Sequence, residues 1–150
     1  MNRPTYVVVD ASVSLKWALD DEDCVEQAIA LRDDAIRRQI QLLAPSLWLY
    51  EVTNGLVSAA RRRRISAEQG RSALELLMSV GVGFADPEAT DCYRAAVDLG
   101  VAAYDAAYLA LADDLGTVLW TGDKKFWDAV RAKTENVRWI GDFQQTTGFS

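Results

Sequence analysis

Five short apolar runs punctuate this chain, and stretches of helical period separate them. The runs are YVVV at 6–9, IQLLA at 40–44, VGVGFA at 80–85, TVLW at 117–120 and VRWI at 137–140. Brief runs rich in branched aliphatic residues, bounded by turn formers, read as strands buried on both faces. Between them DCVEQAIALRDDAIRR places Val25, Ala28, Ile29 and Ile36 at helical intervals. SAEQGRSALELLMSV opens on Ser66 with Gln69 three residues later, the pattern of a capping box. Pro45-Ser46 and Asp86-Pro87 mark two further helix starts. Strands alternating with helices fold as α/β, with a mainly parallel sheet between two helical layers. No repeat, linker or low-complexity stretch divides the sequence, so one domain over 1–150 is expected. Only QQTTGFS at its end looks weakly tied down.

Open sheets of this class bind ligands beyond the carboxyl ends of their strands, where helices begin. That rule singles out Asp10, which ends the first run, and Thr121, Gly122 and Asp123, which follow the fourth. Asp10 and Asp123 each read in two ways: as an N-cap for the following helix, or as a site carboxylate. Asp105 lies in VAAYDAAYLALADDLG, a helix apolar on nearly all sides, where a carboxylate needs a partner, a helix start or a cation. Glu51 interrupts PSLWLYEVTNGLVSAA. At 100° per residue Trp48, Leu49, Val52, Leu56 and Ala59 form one stripe, with Glu51 on its flank beside Leu47, Asn54 and Ser58. It is either a solvated flank residue or one that reaches a cleft.

The sequence contains no histidine. That excludes a Ser-His triad, histidine acid–base catalysis and a histidine-ligated zinc site. Four carboxylates gathered at one end of a sheet repel one another unless a cation intervenes. With oxygen ligands alone, Mg²⁺ fits, or Mn²⁺ in its place.

VVVDASVSLKW, PSLWLYEVTNGL, YDAAYLALA and LWTGDKKF, in this order and spacing, resemble the PIN domain, and in particular the VapC-type ribonuclease toxins of toxin–antitoxin pairs. The resemblance covers nearly the whole chain. It implies an acidic quartet at Asp10, Glu51, Asp105 and Asp123, supported by the hydroxyls of Ser12 and Thr121. It also implies a five-stranded parallel sheet in the order 3-2-1-4-5 within three α/β/α layers. The partners it implies are an RNA substrate, a second copy in a homodimer, and a VapB-like antitoxin that blocks the cleft in a heterotetramer or larger assembly. Gly122 stands where the family often has alanine. In that chemistry Asp10, Asp105 and Asp123 hold the metal directly or through water, and Glu51 is a ligand or a water-orienting base.

The net charge of -6 sits awkwardly with a polyanionic substrate. The basic groups are clustered, however. Arg61, Arg62, Arg63 and Arg64 close the Glu51 helix, and Lys124 and Lys125 follow Asp123. The arginine run is either a solvated helix end favoured by the dipole or a phosphate rim. Lys16 is either a surface lysine laid along its own stem or a phosphate contact. The five tryptophans read as core or as subunit interface rather than as base-stacking groups, Trp48 being the open case. Cys24 and Cys92 show no metal spacing and read as reduced thiols. No signal-peptide core or spanning stretch is evident, so a cytoplasmic protein without membrane association is expected. Two other enzyme or signalling classes fit poorly: a phosphoacceptor module needs an acid beside Asp10, and a haloacid-dehalogenase-like phosphatase needs one where Ser12 stands. A non-catalytic binding module on the same fold stays open.

Overall fold

The computed structural model describes residues 5–145. Residues 146–150, most of the segment expected to be weakly tied, lie outside the described residues. The first strand, β1 (Thr5–Val9), runs into a short helix α1 (Ala11–Ser14), which tightens into a 3-10 turn over Leu15–Trp17. Then follow α2 (Val25–Ile36), β2 (Ile40–Ala44), α3 (Leu47–Arg61), α4 (Ala67–Ser79), β3 (Gly83–Phe84), α5 (Ala89–Leu99), α6 (Ala103–Leu115), β4 (Leu119–Thr121), α7 (Lys124–Val130) and β5 (Val137–Trp139).

All four strand pairings are parallel and the order is 3-2-1-4-5. The central strand sits in register with Val7 opposite Leu42 and Val8 opposite Leu119. Val7, Val8 and Val9 are buried in succession, as a strand must be when helices cover both faces of its sheet. Leu31, Leu42, Leu77, Val130 and Val137 complete the same core. VGVGFA contributes only the two residues of β3, an edge strand against β2.

The apolar stripe of α3 turns inward as expected, with Trp48, Val52, Leu56 and Ala59 buried. Trp48 is 1% exposed and its indole N–H donates to Ser14 Oγ at 2.9 Å, so the open case among the tryptophans is a core residue. Trp17 donates in the same way to the Ala28 carbonyl at 2.8 Å and fastens α2 to the turn after α1. Residues 106–112 of α6 are buried without a break. Left-handed glycines, Gly100 (φ 70°) and Gly116 (φ 63°), end α5 and α6. The two helices meet at 110°; as a bent pair they have the length and composition of a membrane span, but among the described residues no single helix does.

Two helix starts are tied differently. Ser66 accepts from the Gln69 N–H while Gln69 Oε1 accepts from the Ser66 N–H, which is the capping box read from the sequence. Asp86, expected to mark the start of the helix behind it, instead caps α3 from across the sheet edge. Its Oδ1 accepts from the Ser46 N–H at 2.8 Å and its Oδ2 from the Ser46 hydroxyl at 2.9 Å. Each of Ser66→Ala and Asp86→Ala is expected to cost about 1 kcal/mol of stability, measured by urea denaturation.

Candidate functional site

The carboxyl ends of β1 and β4 lie side by side at the middle of the sheet, and the chain leaves both through a helix cap. Asp10 caps α1, its Oδ1 accepting from the Val13 N–H at 3.2 Å. Asp123 caps α7, its Oδ1 accepting from the Phe126 N–H at 3.2 Å. The capping readings of both acids are therefore right, and capping leaves the second oxygen of each carboxylate uncommitted to the helix.

Two hydroxyls stitch these strand ends together. Ser12 donates to Asp10 Oδ1 and accepts from the Gly122 N–H at 2.8 Å. Thr121, fully buried, accepts from the Asp123 N–H at 3.1 Å, and its side chain hydrogen-bonds Asp10. Each hydroxyl thus uses its donor on Asp10 and its acceptor on the loop that carries Asp123.

Glu51 comes from the second turn of α3 and Asp105 from the first turn of α6, both half-buried. The helix that leads into β4 runs back along the sheet, so its start lies at the end where β1 and β4 finish. Their electrostatics gather the four acids. Asp123 repels Asp10, Glu51 and Asp105, and Glu51 also feels Asp105. Asp123 is the hub. Among the described residues no lysine or arginine stands within ion-pair distance of any of the four.

Uncompensated charge in a drying cleft shows in proton affinity. Burial pushes the Asp10 carboxyl up to about 6, against the lowering effect of Ser12, Thr121 and the Val13 N–H. Glu51 and Asp105 are raised as well, by burial first and by their acidic neighbours next. Tyr108, which the sequence reading passed over, donates its hydroxyl to Glu51 Oε1 from the buried face of α6. Burial first, then that bond and the charge of Glu51, hold its phenol well above the usual range. The available signal was a polar tip three residues beyond Asp105 in an otherwise apolar helix.

Among the described residues no three acids form a group able to hold an ion directly between them. The donor chemistry still suits a hard divalent cation. All donors are oxygens, three carry raised proton affinity from burial and mutual repulsion, and Mg²⁺ typically keeps several waters while taking one or two carboxylates.

The basic candidates are divided: Lys16 and Lys124 adjoin the loop that carries Asp123, and the arginines lie at the far end of α3. Lys16 is 6% exposed, so it is neither a surface lysine nor part of an open rim. Its stem lies across Gly122, whose added Cβ would fall 2.6 Å from Lys16 Cε and 3.3 Å from Ile140 Cγ2. Arg61, Arg62 and Arg63 are exposed at the far end of α3. Arg64 grips Asp21 and Glu22 in the loop before α2. Lys124 pairs with Asp128 one turn on, at 2.8 Å.

The PIN domain family model matches residues 7–132. The chain belongs to the PIN domain family. This PIN domain is similar to the VapC ribonuclease Mb0985 of Mycobacterium bovis, with 31% identity over 127 residues, 85% of this chain and 93% of that protein. Among solved structures it is similar to PAE2754 of Pyrobaculum aerophilum, with a TM-score of 0.68 and 27% identity over 92% of each chain. Its fold also matches VapBC2 of Rickettsia felis, solved bound to a DNA fragment from its promoter, with a TM-score of 0.56 and 16% identity over 90% of this chain and 97% of that one.

Folded Asp10 holds its proton up to about pH 6, well above the ordinary aspartate value of 3.8, so between those values the folded state binds more protons than the unfolded one. Stability in EDTA is therefore expected to rise as pH falls from about 6 towards 4, by up to about 3 kcal/mol from this group. Asp10→Asn keeps the Oδ1 acceptor and removes the charge. At pH 7 in EDTA it is expected to be about 1–3 kcal/mol more stable than the parent, a gap that closes below pH 5 in urea denaturation.

Proposed function

We propose that this PIN domain, taken as one unit over the whole chain, is a metal-dependent endoribonuclease, the toxin of a VapC-type toxin–antitoxin pair. The observation that carries the reading is four carboxylates from four separate elements, mutually repelling and free of lysine or arginine partners. The similarity to a protein named as a VapC ribonuclease supplies the reaction class.

In this reading Asp10, Asp105 and Asp123 hold Mg²⁺ or Mn²⁺ directly or through water, and Glu51 joins them or orients the attacking water. When bound, the cation neutralises phosphate charge and makes a coordinated water more acidic. Glu51, with raised proton affinity and its position fixed by Tyr108, takes the proton as the water attacks phosphorus and the leaving oxygen departs on the opposite side. Ser12 and Thr121 keep Asp10 and Asp123 at a fixed separation. Tyr108 is a positioning residue. Exposed Arg61, Arg62 and Arg63 are open to RNA or to a VapB-like antitoxin, whereas Arg64 and Lys124 already have acidic partners and Lys16 is buried. A homodimer, a heterotetramer or larger complex with antitoxin, and a cytoplasmic setting complete the proposal.

A second reading, a PIN-like binding module without catalysis, draws on the absence, among the described residues, of three acids grouped to hold an ion directly. Cleavage of total RNA by purified, partner-free protein separates the two. Discrete fragments with Mg²⁺ or Mn²⁺ and none with EDTA are expected, with activity down roughly 100-fold or more in Asp10→Asn and Asp105→Asn. Tyr108→Phe is expected to lose about tenfold and to shift the acid limb of the pH profile. Folded protein that cleaves nothing under either metal leaves the binding module.

A further inference from the structure

Among the described residues Lys16 is the only buried lysine or arginine, at 6% exposed. Within the same residues its ammonium donates no hydrogen bond and meets no carboxylate within ion-pair distance. Nor is it one of the polar atoms sealed from solvent, so an opening reaches it. A buried charge without a partner is costly, and a lysine stem ordinarily carries its charge out to water. This stem lies across Gly122 instead, with Nζ 3.5 Å from where a Cβ on that residue would stand. Gly122 follows β4 and precedes Asp123, and its N–H donates to the Ser12 hydroxyl that holds Asp10. Ile140, the residue after β5, is 3.3 Å from the same Cβ position. The ammonium therefore lies at the carboxyl end of the sheet, beside the ends of β4 and β5 and one strand outward from the acids. It is not their counter-charge: the neighbours that shift Asp10, Glu51 and Asp105 are hydrogen-bond donors and other acids. A recessed cation next to the acidic cleft, unpaired and reachable from solvent, is arranged for an anion that arrives from outside.

We infer that Lys16 binds a backbone phosphate of the RNA that flanks the one attacked, and so sets where the strand lies across the cleft. The inference rests on the ribonuclease reading and adds to it a substrate-binding residue outside the acidic quartet. A lysine ammonium is a compact point charge, suited to a single phosphate oxygen. Contacts of this kind fix register and orientation without reading sequence. Gly122 belongs to the same subsite. It is not one of the left-handed glycines, so its missing side chain makes room for the lysine stem rather than serving the backbone.

The test is fluorescence anisotropy of a labelled, mixed-sequence RNA oligomer across a KCl series, in EDTA to hold back cleavage, with urea denaturation of every variant. Lys16→Met keeps the length of the stem and removes the charge. It is expected to unfold at the same urea concentration as the parent or a higher one, because the charge has no partner to lose. It is expected to bind RNA roughly five- to tenfold more weakly and to flatten the slope of log Kd against log salt by about 0.7, one phosphate contact. Gly122→Ala leaves the charge and displaces the end of the stem, so it weakens binding in the same direction, and the double variant binds no more weakly than Lys16→Met alone. Lys133→Met, beyond the far end of α7, measures the loss of one charge without a subsite and is expected to cost less than about twofold. A Lys16→Met protein that binds like Lys133→Met overturns the subsite. So does weaker binding with an unchanged salt slope, which marks lost packing, or an earlier urea transition, which gives the charge a structural role. Binding with the expected lysine dependence but no cleavage under Mg²⁺ or Mn²⁺ refutes the nuclease reading and leaves Lys16 as an RNA-phosphate contact. Cleavage by a parent whose RNA binding ignores Lys16 refutes the contact alone, and a folded parent that neither binds nor cleaves RNA refutes both.

Discussion

Repulsion among carboxylates is the constraint around which this molecule is organised. Four acids at one end of a parallel sheet are costly to desolvate, and each makes its neighbours harder to ionise. The fold resists that repulsion with directional bonds. Ser12 and Thr121 each hold Asp10 with the hydroxyl hydrogen and the Asp123 loop with an oxygen lone pair, so the two strand ends cannot drift apart to relieve the charge. Helix starts supply the rest, because backbone N–H groups at the beginnings of α1 and α7 meet the same carboxylates.

Such a site is held in place by structure that has little else to do there. The core beneath it, Val8, Val9, Leu42 and Leu119, is ordinary aliphatic packing, and the tryptophan N–H groups are satisfied by Ser14 and the Ala28 carbonyl. These contacts stabilise a scaffold stiff enough to keep an unfavourable charge arrangement in one geometry. Strain concentrated at a site and offset elsewhere is the usual pattern in proteins that act on other molecules.

Much of this was legible in the sequence because it depends on local pattern. Runs of branched aliphatics gave the strands, the spacing of Trp48, Val52, Leu56 and Ala59 gave the inner face of α3, and Ser66 with Gln69 gave a cap. What escaped depends on contacts between distant segments. Asp86 caps a helix forty residues upstream rather than the one behind it, a pairing that no window of sequence contains. Tyr108 looked like part of an apolar helix until its hydroxyl met Glu51 from another element. Lys16 was read by its charge, whereas its place is decided by the room that a glycine on a different loop leaves for it.

That last contact ties two positions into one unit. The stem of Lys16 fills the space a side chain at 122 would claim, and Ile140 closes the other side. Where a related chain carries alanine at the position of Gly122, the residue in the place of Lys16 must shorten or take another route. A side chain at 122 is therefore felt first by the flexible end of Lys16, which has to swing aside, so the two positions are coupled through that one contact.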